Sequence, residues 1–361
     1  MKVLVFSDLQ AHTFRKYSKY IKFRKRLCNS RLVNIAKAMR YLGDYAVEHG
    51  IDYILFSGDL FNERGKIPTE VFNFVHYEIK RWLNNGVKVI MVPGNHDCSL
   101  KHEGYSMETF TELGYDFKLL IKDSVRLNKK WDIVGVGHCE KLGERVIEYG
   151  KKKYKGKYKL LLSHFLVSGS TNAFGYMFEN GMNLGEKELR AYDFCCIGDN
   201  HKPQMLGDHV LVPGSLVAHD FGDANQERGF WELDLRSTGK VRSKFLPVPA
   251  IKFWHKKIKR DIDLMVDTDT IDYGFDVIKF TIRSSKVGVE AIEKFSKEYP
   301  SVIIEYDMPK KITKRLDVSI DKDTSADCIE SYVKKFKGKL SKSKLLSVGN
   351  EIWKEAGIHS E

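Results

Sequence analysis

Three short apolar runs in the first hundred residues, each breaking into a polar turn, constrain this chain more than anything else in it. Val3-Leu4-Val5-Phe6 ends at Ser7-Asp8, Tyr53-Ile54-Leu55-Phe56 at Ser57-Gly58-Asp59, and the run 87–92 at Pro93-Gly94-Asn95-His96-Asp97. Runs this short, rich in β-branched and aromatic residues, read as buried strands. Between them, apolar residues recur at helical spacing: Leu32, Ile35, Ala36, Met39, Leu42 and Ala46, then Val71, Phe74, Val75 and Ile79. The order β-α-β-α-β predicts an α/β layout with a largely parallel sheet. Open sheets of this kind bind ligands at the C-terminal edge of their strands, where all three polar turns fall.

The middle of the chain reads differently. Strands are expected at 133–136, 159–162, 194–197 and 210–212, with little helical pattern between them. A second, more antiparallel sheet packed on the first accounts for this run, with 229–235 as an edge strand. Pro247 and Pro249 mark a boundary. Beyond them a strand at 277–282, a helix at 287–298 and a strand at 302–306 form a small β-α-β unit. Residues 317–323 are mostly polar and read as a linker, followed by helices at 325–336 and 342–356. The expected division is therefore 1–248, 249–316 and 317–361. The terminal amphipathic helices suit either packing on their own domain or docking of a partner protein.

A chain of 361 residues, 42% of them hydrophobic, has room for two domains and a substantial core. Its net charge of +12 suits a polyanionic partner such as nucleic acid, and equally a generally basic surface. The stretch from Leu9 to Gly43 holds no Asp or Glu, and Phe14, Tyr17, Tyr20 and Phe23 interleave with Arg15, Lys16, Lys19, Lys22, Arg24, Lys25 and Arg26. Two readings stay open: a basic, aromatic wall that tracks a nucleic-acid backbone, or an amphipathic helix with its rings on the core. Cys28, Cys98, Cys139, Cys195, Cys196 and Cys328 form no C-x-x-C and read as reduced thiols. With no secretory signal and no run long enough to span a bilayer, a cytoplasmic protein is expected.

The chemistry lies in the polar residues at the expected strand ends: Asp8, Gln10, His12, Asp59, Asn62, Asn95, His96, His164, Asp199 and His201. Any one of them is more often a cap, turn or core residue than a ligand. Together, carboxylate, imidazole and amide oxygens suit divalent cations such as Mn²⁺ or Mg²⁺. A carboxylate with two oxygens, such as that of Asp59, can bridge two cations that clamp a phosphoryl group. No cysteine stands among these residues at ligand spacing, which argues against structural zinc.

Asp8-Leu9-Gln10, Gly58-Asp59, Gly94-Asn95-His96-Asp97, Ser163-His164 and Gly198-Asp199-Asn200-His201 resemble the five signatures of the calcineurin-like metallophosphoesterases. Gly58-Asp59-Leu60-Phe61, Pro213-Gly214-Ser215 and Arg228-Gly229-Phe230 resemble its break-repair nuclease branch, called SbcD in bacteria and many phages. The resemblance implies a two-sheet α-β-β-α sandwich over residues 1–248, a DNA-binding cap over 249–316, and terminal helices over 317–361 that dock an SbcC-type ABC ATPase. It further implies a homodimer and a Mn²⁺-dependent DNA exo- and endonuclease. Asp59 would bridge two metals; Asp8, Gln10 and His201 would hold the first, and Asn95, His164 and Asp199 the second. His96 would protonate the leaving oxygen or stabilise charge on the phosphate. Gln10 and Asp199 stand where the branch usually has histidine. His12 is an alternative imidazole to Gln10, and Asn62 an auxiliary. A phosphatase or phosphodiesterase of small substrates, and a DNA-end-binding scaffold with a dead site, are the rival readings.

Overall fold

The computed structural model describes residues 1–99, 104–179, 184–264, 271, 276–284, 286–307, 333 and 341–355. The chain begins with β1 (Lys2–Phe6), β2 (Tyr20–Phe23), β3 (Arg26–Asn29), α1 (Ser30–Glu48), β4 (Tyr53–Phe56), α2 (Thr69–Asn84) and β5 (Lys88–Met91). It continues through β6 (Phe117–Leu119), β7 (Lys122–Arg126), β8 (Trp131–Val136), α3 (Leu142–Lys151), β9 (Tyr158–His164), β10 (Phe194–Gly198), β11 (Gln204–Leu206) and β12 (Val210–Val212). Next come β13 (Gly229–Leu235), β14 (Val241–Pro247), β15 (Phe253–Ile258), β16 (Val277–Ile282), α4 (Val289–Glu298), β17 (Ile303–Tyr306) and α5 (Lys342–Glu355).

Two six-stranded sheets form the body, in the orders β14-β13-β1-β4-β5-β6 and β11-β12-β10-β9-β8-β7. In the first, β1, β4, β5 and β6 are parallel, with Val5 opposite Leu55 and Leu55 opposite Ile90. Successive side chains on a strand face opposite ways. Val3, Val5, Leu55 and Ile90 therefore join Trp131, Ile133, Leu160, Leu162 and Cys196 in the layer between the sheets. Leu4, Phe6, Ile54 and Phe56 face the other way and pack with Leu32, Ile35 and Met39 of α1 and Val75 and Ile79 of α2. On the far side, Val134, Leu161 and Cys195 pack under Leu142 and Val146 of α3. The result is the expected mixed α/β sandwich, α-β-β-α. Each fully buried aliphatic or Phe side chain contributes about 1.5–3 kcal/mol of burial.

Two expectations are corrected, and one of two open readings is decided. The second sheet is parallel at its centre, through β12, β10, β9 and β8, and antiparallel only at β7 and β11. Longer connections, one carrying the unexpected α3, permit the parallel pairing, while short connections join the antiparallel pairs β7–β8 and β11–β12. The run 229–235 is interior, since β14 pairs outside it. β14 includes Arg242 and Lys244, charges that protect an exposed edge and also mask the strand pattern. Finally, residues 14–26 form no helix. The chain loops and then makes the β2–β3 hairpin, closed by Arg24 and Lys25 with φ of 48° and 65°. Both values suit a type I′ turn, so the spacing of Phe14, Tyr17, Tyr20 and Phe23 coincides with a helical period without a helix.

A third, parallel sheet, β15-β16-β17, carries α4 on one side over Ile258, Ile278, Phe280, Ile282, Ile292 and Phe295. Its first strand escapes a pattern reading because His255-Lys256-Lys257 interrupts the apolar run. Met1–Tyr306 forms one compact unit and Asp307–Glu361 a second. In the second, α5 occupies the expected 342–356 helix. The expected linker at 317–323, the helix at 325–336 apart from Val333, and residues 308–316 lie outside the described residues. Cys28, Cys139, Cys195 and Cys196 are free thiols, and Cys328 lies outside the described residues. Among the described residues no helix is long and apolar enough to cross a membrane.

Candidate metal centre

The two sheets present the C-terminal ends of β1, β4, β5, β9 and β10 to one place, and the polar residues that follow converge there. The loops after β1 and β4 are zipped together: Asp8 N–H donates to Gly58 O at 3.0 Å, Gln10 N–H to Asp59 O at 2.9 Å, and Ala11 N–H to Leu60 O at 3.0 Å. Leu60 and Phe61 are fully buried in the core, with Phe61 stacked near Phe72 and Phe110, so they anchor the turn that carries Asp59.

Four of the candidate ligands sit in the left-handed region of backbone space: Asp8 at φ 49°, Gln10 at 42°, Asp59 at 62° and Asp199 at 96°. Such conformations cost about 1–3 kcal/mol each and cluster at functional sites. Two glycines make the close approaches possible. A Cβ on Gly58 would collide with the His164 ring, and one on Gly94 with the Asp59 carboxylate.

His164 closes β9 and is buried. Its Nδ1–H donates to Ser57 O at 2.7 Å, which turns Nε2 inward. Burial would lower its pKa, but Asp59, then Asp8 and Asp199, carry it well above the ordinary value. Around that Nε2 lie Asn95 Oδ1 at 3.1 Å, Asp59 Oδ1 at 3.3 Å and Asp199 Oδ1 at 3.7 Å. Asp59 reaches onward: its Oδ2 accepts from Gln10 Nε2 at 3.3 Å, while Oδ1 also accepts the His96 amide at 2.9 Å. Asp8, fully buried, takes the Asp199 amide on both oxygens at 3.3 and 3.2 Å. Ligand atoms of Asp8, Asp59 and His164 lie within 4.8 Å of one another.

His201 flanks this cluster. Its Nδ1–H donates to Asp223 Oδ1 at 3.3 Å, freeing Nε2. Asp223 is itself held by Arg228 at 3.0 Å and by the His219 amide at 2.8 Å. His219 in turn donates Nε2–H to Asp8 O at 3.0 Å, bracing the loop that carries the Asp8 carboxylate. His12 turns its Nδ1–H to Gln10 O at 2.7 Å, with its ring against Phe14. His96 donates Nδ1–H to Asn62 O at 2.7 Å, so Asn62 acts here through its backbone.

The electrostatics fit a cation site. Burial pushes the Asp8 carboxyl up to about 6, against the pull of His164 and His201. Burial would also raise Asp59, but His164 overrides it and holds that carboxyl well below the usual range. Among the described residues no Lys or Arg forms an ion pair with either carboxylate, and His164 is the one ion-pair partner of Asp59. Buried carboxylates facing imidazole and amide oxygens, with no Lys or Arg paired to them, match the donor set that divalent cations take. Asp8, Asp59 and His164 bring three ligand atoms close enough to hold a cation, with oxygens of Asn95 and Asp199 around the same His164 nitrogen. A second trio of ligand atoms, from His201, His219 and Asp223, lies within the same spacing.

Of the basic residues, Arg15 and Lys16 line the same cavity as Gln10, His12 and His201. Arg24 is bonded to the buried Glu78 at 3.0 Å and lies over Tyr77. Lys22, Lys25 and Arg26 are exposed on the hairpin, and Lys19 lines a separate groove. Pattern reading misses Asp97, Asp223, Arg228 and His219 as parts of the site. Asp97 was visible inside its motif and Arg228 inside Arg228-Gly229-Phe230; Asp223 and His219 fall in a turn region that resembles no ligand pattern.

A family model described as calcineurin-like phosphoesterase matches residues 1–203. An uncharacterized protein, R555, of Acanthamoeba polyphaga mimivirus is 25% identical over 201 residues, which are 51% of this chain and 15% of that protein. The SbcD component of the nuclease SbcCD of Staphylococcus epidermidis is 21% identical over 233 residues, 56% of this chain and 60% of that protein. The chain thus spans less than two thirds of either curated relative. A crystal structure described as a dimetal phosphatase from Danio rerio is 11% identical, with 64% of this chain and 92% of that one covered at a TM-score of 0.40.

Proposed function

We propose that this chain, which belongs to the calcineurin-like phosphoesterase family, is a nuclease subunit that hydrolyses phosphodiester bonds at DNA ends. The observation that carries the reading is His164 Nε2 ringed by oxygens of Asn95, Asp59 and Asp199, with Asp59 reaching on to Gln10. Two divalent cations bound there, Mn²⁺ foremost, supply positive charge against the phosphoryl oxygens and an activated water. The chain's own residues do the rest. Asp8 and Asp59, held by strained turns on rigid strand ends, fix the geometry before substrate arrives. His96, with Nδ1–H tied to Asn62 O, turns Nε2 outward, and in its imidazolium form would pass the Nε2 proton to the departing sugar oxygen. Asp223 keeps His201 in the tautomer that offers Nε2.

The DNA substrate is supported by Arg15 and Lys16 in the cavity beside Gln10 and His201, by the net charge of +12, and by the likeness to a nuclease component. A small phosphate ester needs none of the first two. The same reading makes the small third sheet a DNA-contacting cap, and gives 317–361 the task of docking an ABC-type ATPase of the SbcC kind to a homodimer. The test is cleavage of end-labelled single-stranded and duplex DNA with Mn²⁺, beside hydrolysis of methyl p-nitrophenyl phosphate. Cleavage of DNA is expected. Hydrolysis of the small ester alone points to a phosphodiesterase of small substrates, and DNA binding without any hydrolysis to an end-binding scaffold.

A further inference from the structure

Between β9 and β10, residues 170–178 form a small hairpin beside the metal centre. Thr171 and Met177 pair as an antiparallel bridge, and Phe178 N–H donates to Ser170 O at 2.8 Å. Asn172 Oδ1 accepts the amides of Phe174 and Tyr176, both at 3.0 Å, so one side chain fixes the tip. At that tip Phe174 is 67% exposed and Tyr176 73% exposed. We propose that this tip is a nucleobase-stacking site, taking an unpaired base next to the scissile phosphate; the proposal rests on the DNA reading above.

The hairpin is fastened by the segment that carries two candidate metal ligands. Asn200 Nδ2 donates to Ser170 Oγ at 3.2 Å and Thr171 O at 3.0 Å. Lys202 Nζ donates to Thr171 Oγ1 at 2.9 Å. Gln204 accepts the Thr171 amide and donates to Thr171 O, both at 2.9 Å. Asn200, Lys202 and Gln204 therefore grip the hairpin while Asp199 and His201, alternating with them, face the centre. From the other side Gln226 Nε2 donates to Ala173 O at 3.0 Å. A cavity of about 290 Å³ separates Phe174 and Phe178 from Asp199 and His201.

Two rings exposed side by side on a loop fixed by its own hydrogen bonds make a small apolar patch of the kind that marks interaction sites. The cavity that Phe174 borders is polar, lined by Asn172, Asn200, Lys202 and Asp220. That suits a flat group attached to a phosphate better than a protein face, which requires a far larger apolar area. A base stacked on Phe174, with Tyr176 beside it at the tip, would place its own phosphate towards Asp199 and His201 across the cavity. Stacking is indifferent to base identity, so the site would favour unpaired ends without reading sequence.

The test uses the full chain as wild type, as Phe174→Ala with Tyr176→Ala, and as Phe174→Trp with Tyr176→Phe. A single-stranded oligonucleotide with a terminal 2-aminopurine is followed by fluorescence in Ca²⁺. Mn²⁺-dependent cleavage is measured on that strand and on one with an abasic unit at the same place. Wild type should quench the probe; the double alanine variant should lose the quench and show a KM raised about ten-fold. The aromatic-retaining variant should restore both, and on the abasic strand wild type and the alanine variant should cleave alike. Equal losses on both strands, a quench that survives the alanine changes, or an altered oligomeric mass with unchanged DNA kinetics would each overturn the proposal. Quenching that needs the aromatic pair without any cleavage keeps the stacking site and removes the nuclease reading. Neither quenching nor cleavage by wild type removes both.

Discussion

The buried carboxylate of Asp97 accepts the backbone amide of Asp59 at 2.8 Å. It also takes the amides of Leu60 at 2.9 Å, Phe61 at 3.2 Å and Gly94 at 2.9 Å, so one side chain ties the turn after β4 to the turn after β5. Burial, and then the neighbouring Asp59, push the Asp97 carboxyl up to about 7 in spite of these donors. The knot sets where the Asp59 side chain points.

Replacing Asp97 by Ala strands four buried amides. Each lost partner costs up to about 1–3 kcal/mol, partly recovered by relaxation, so a net loss of about 2–4 kcal/mol is expected. Urea unfolding of the metal-free protein measures it. A change below about 0.5 kcal/mol would show that the turns hold themselves.

Asp223→Asn should weaken Mn²⁺ binding about ten- to a hundred-fold, the usual effect of removing a carboxylate that orients a ligand imidazole. The metal-free protein gives an independent readout. Burial lowers the His201 pKa, but Asp223 outweighs it and carries it up to about 8. A histidine raised in the folded state stabilises fully below its unfolded value of about 6.5, and that contribution is lost as pH rises through about 8. Wild type should therefore lose melting temperature between pH 6.5 and 8.5 relative to Asp223→Asn. Parallel pH profiles would mean that the pair does not hold His201.

Gln10 offers an amide where an imidazole would bind more firmly. Titration calorimetry should resolve two Mn²⁺ sites in wild type, the weaker by about ten-fold or more. Gln10→His should narrow the gap. An unchanged gap would show that this position does not reach the cation.

His96→Ala should keep Mn²⁺ and DNA affinity while turnover falls about 10²- to 10⁴-fold, the range for loss of a general acid. Single-turnover cleavage separates the two. Wild-type rates in the variant would remove His96 from the reaction.

How much of this was readable in advance follows from where each residue lies. Asp8, Asp59, Asn95, His164 and Asp199 each follow or close a buried strand, and parallel strands carry their C-terminal ends to one edge, so order along the chain becomes proximity in space. Asp223 follows no strand; it reaches His201 from a short turn that only tertiary packing brings back. The left-handed backbone of Asp8, Gln10, Asp59 and Asp199 leaves no trace in a pattern of polar and apolar residues. The hairpin of β2 and β3 shows the opposite failure: a three-residue aromatic spacing imitates a helix until Arg24 and Lys25 turn the chain. The parallel centre of the second sheet was hidden because α3 buries only Leu142, Val146 and Gly150, too few to mark a helical face.

The most direct test of a shared-cation phosphodiesterase is cleavage of end-labelled DNA in Mn²⁺ by wild type and by Asp59→Asn, purified side by side. Asp59 alone spans both halves of the site, from His164 at 3.3 Å on one oxygen to Gln10 at 3.3 Å on the other. Wild type should cut the DNA, and the variant should be slower by about 10³-fold or more, since a carboxylate that would serve both cations is lost. A variant that cuts at the wild-type rate would contradict the account.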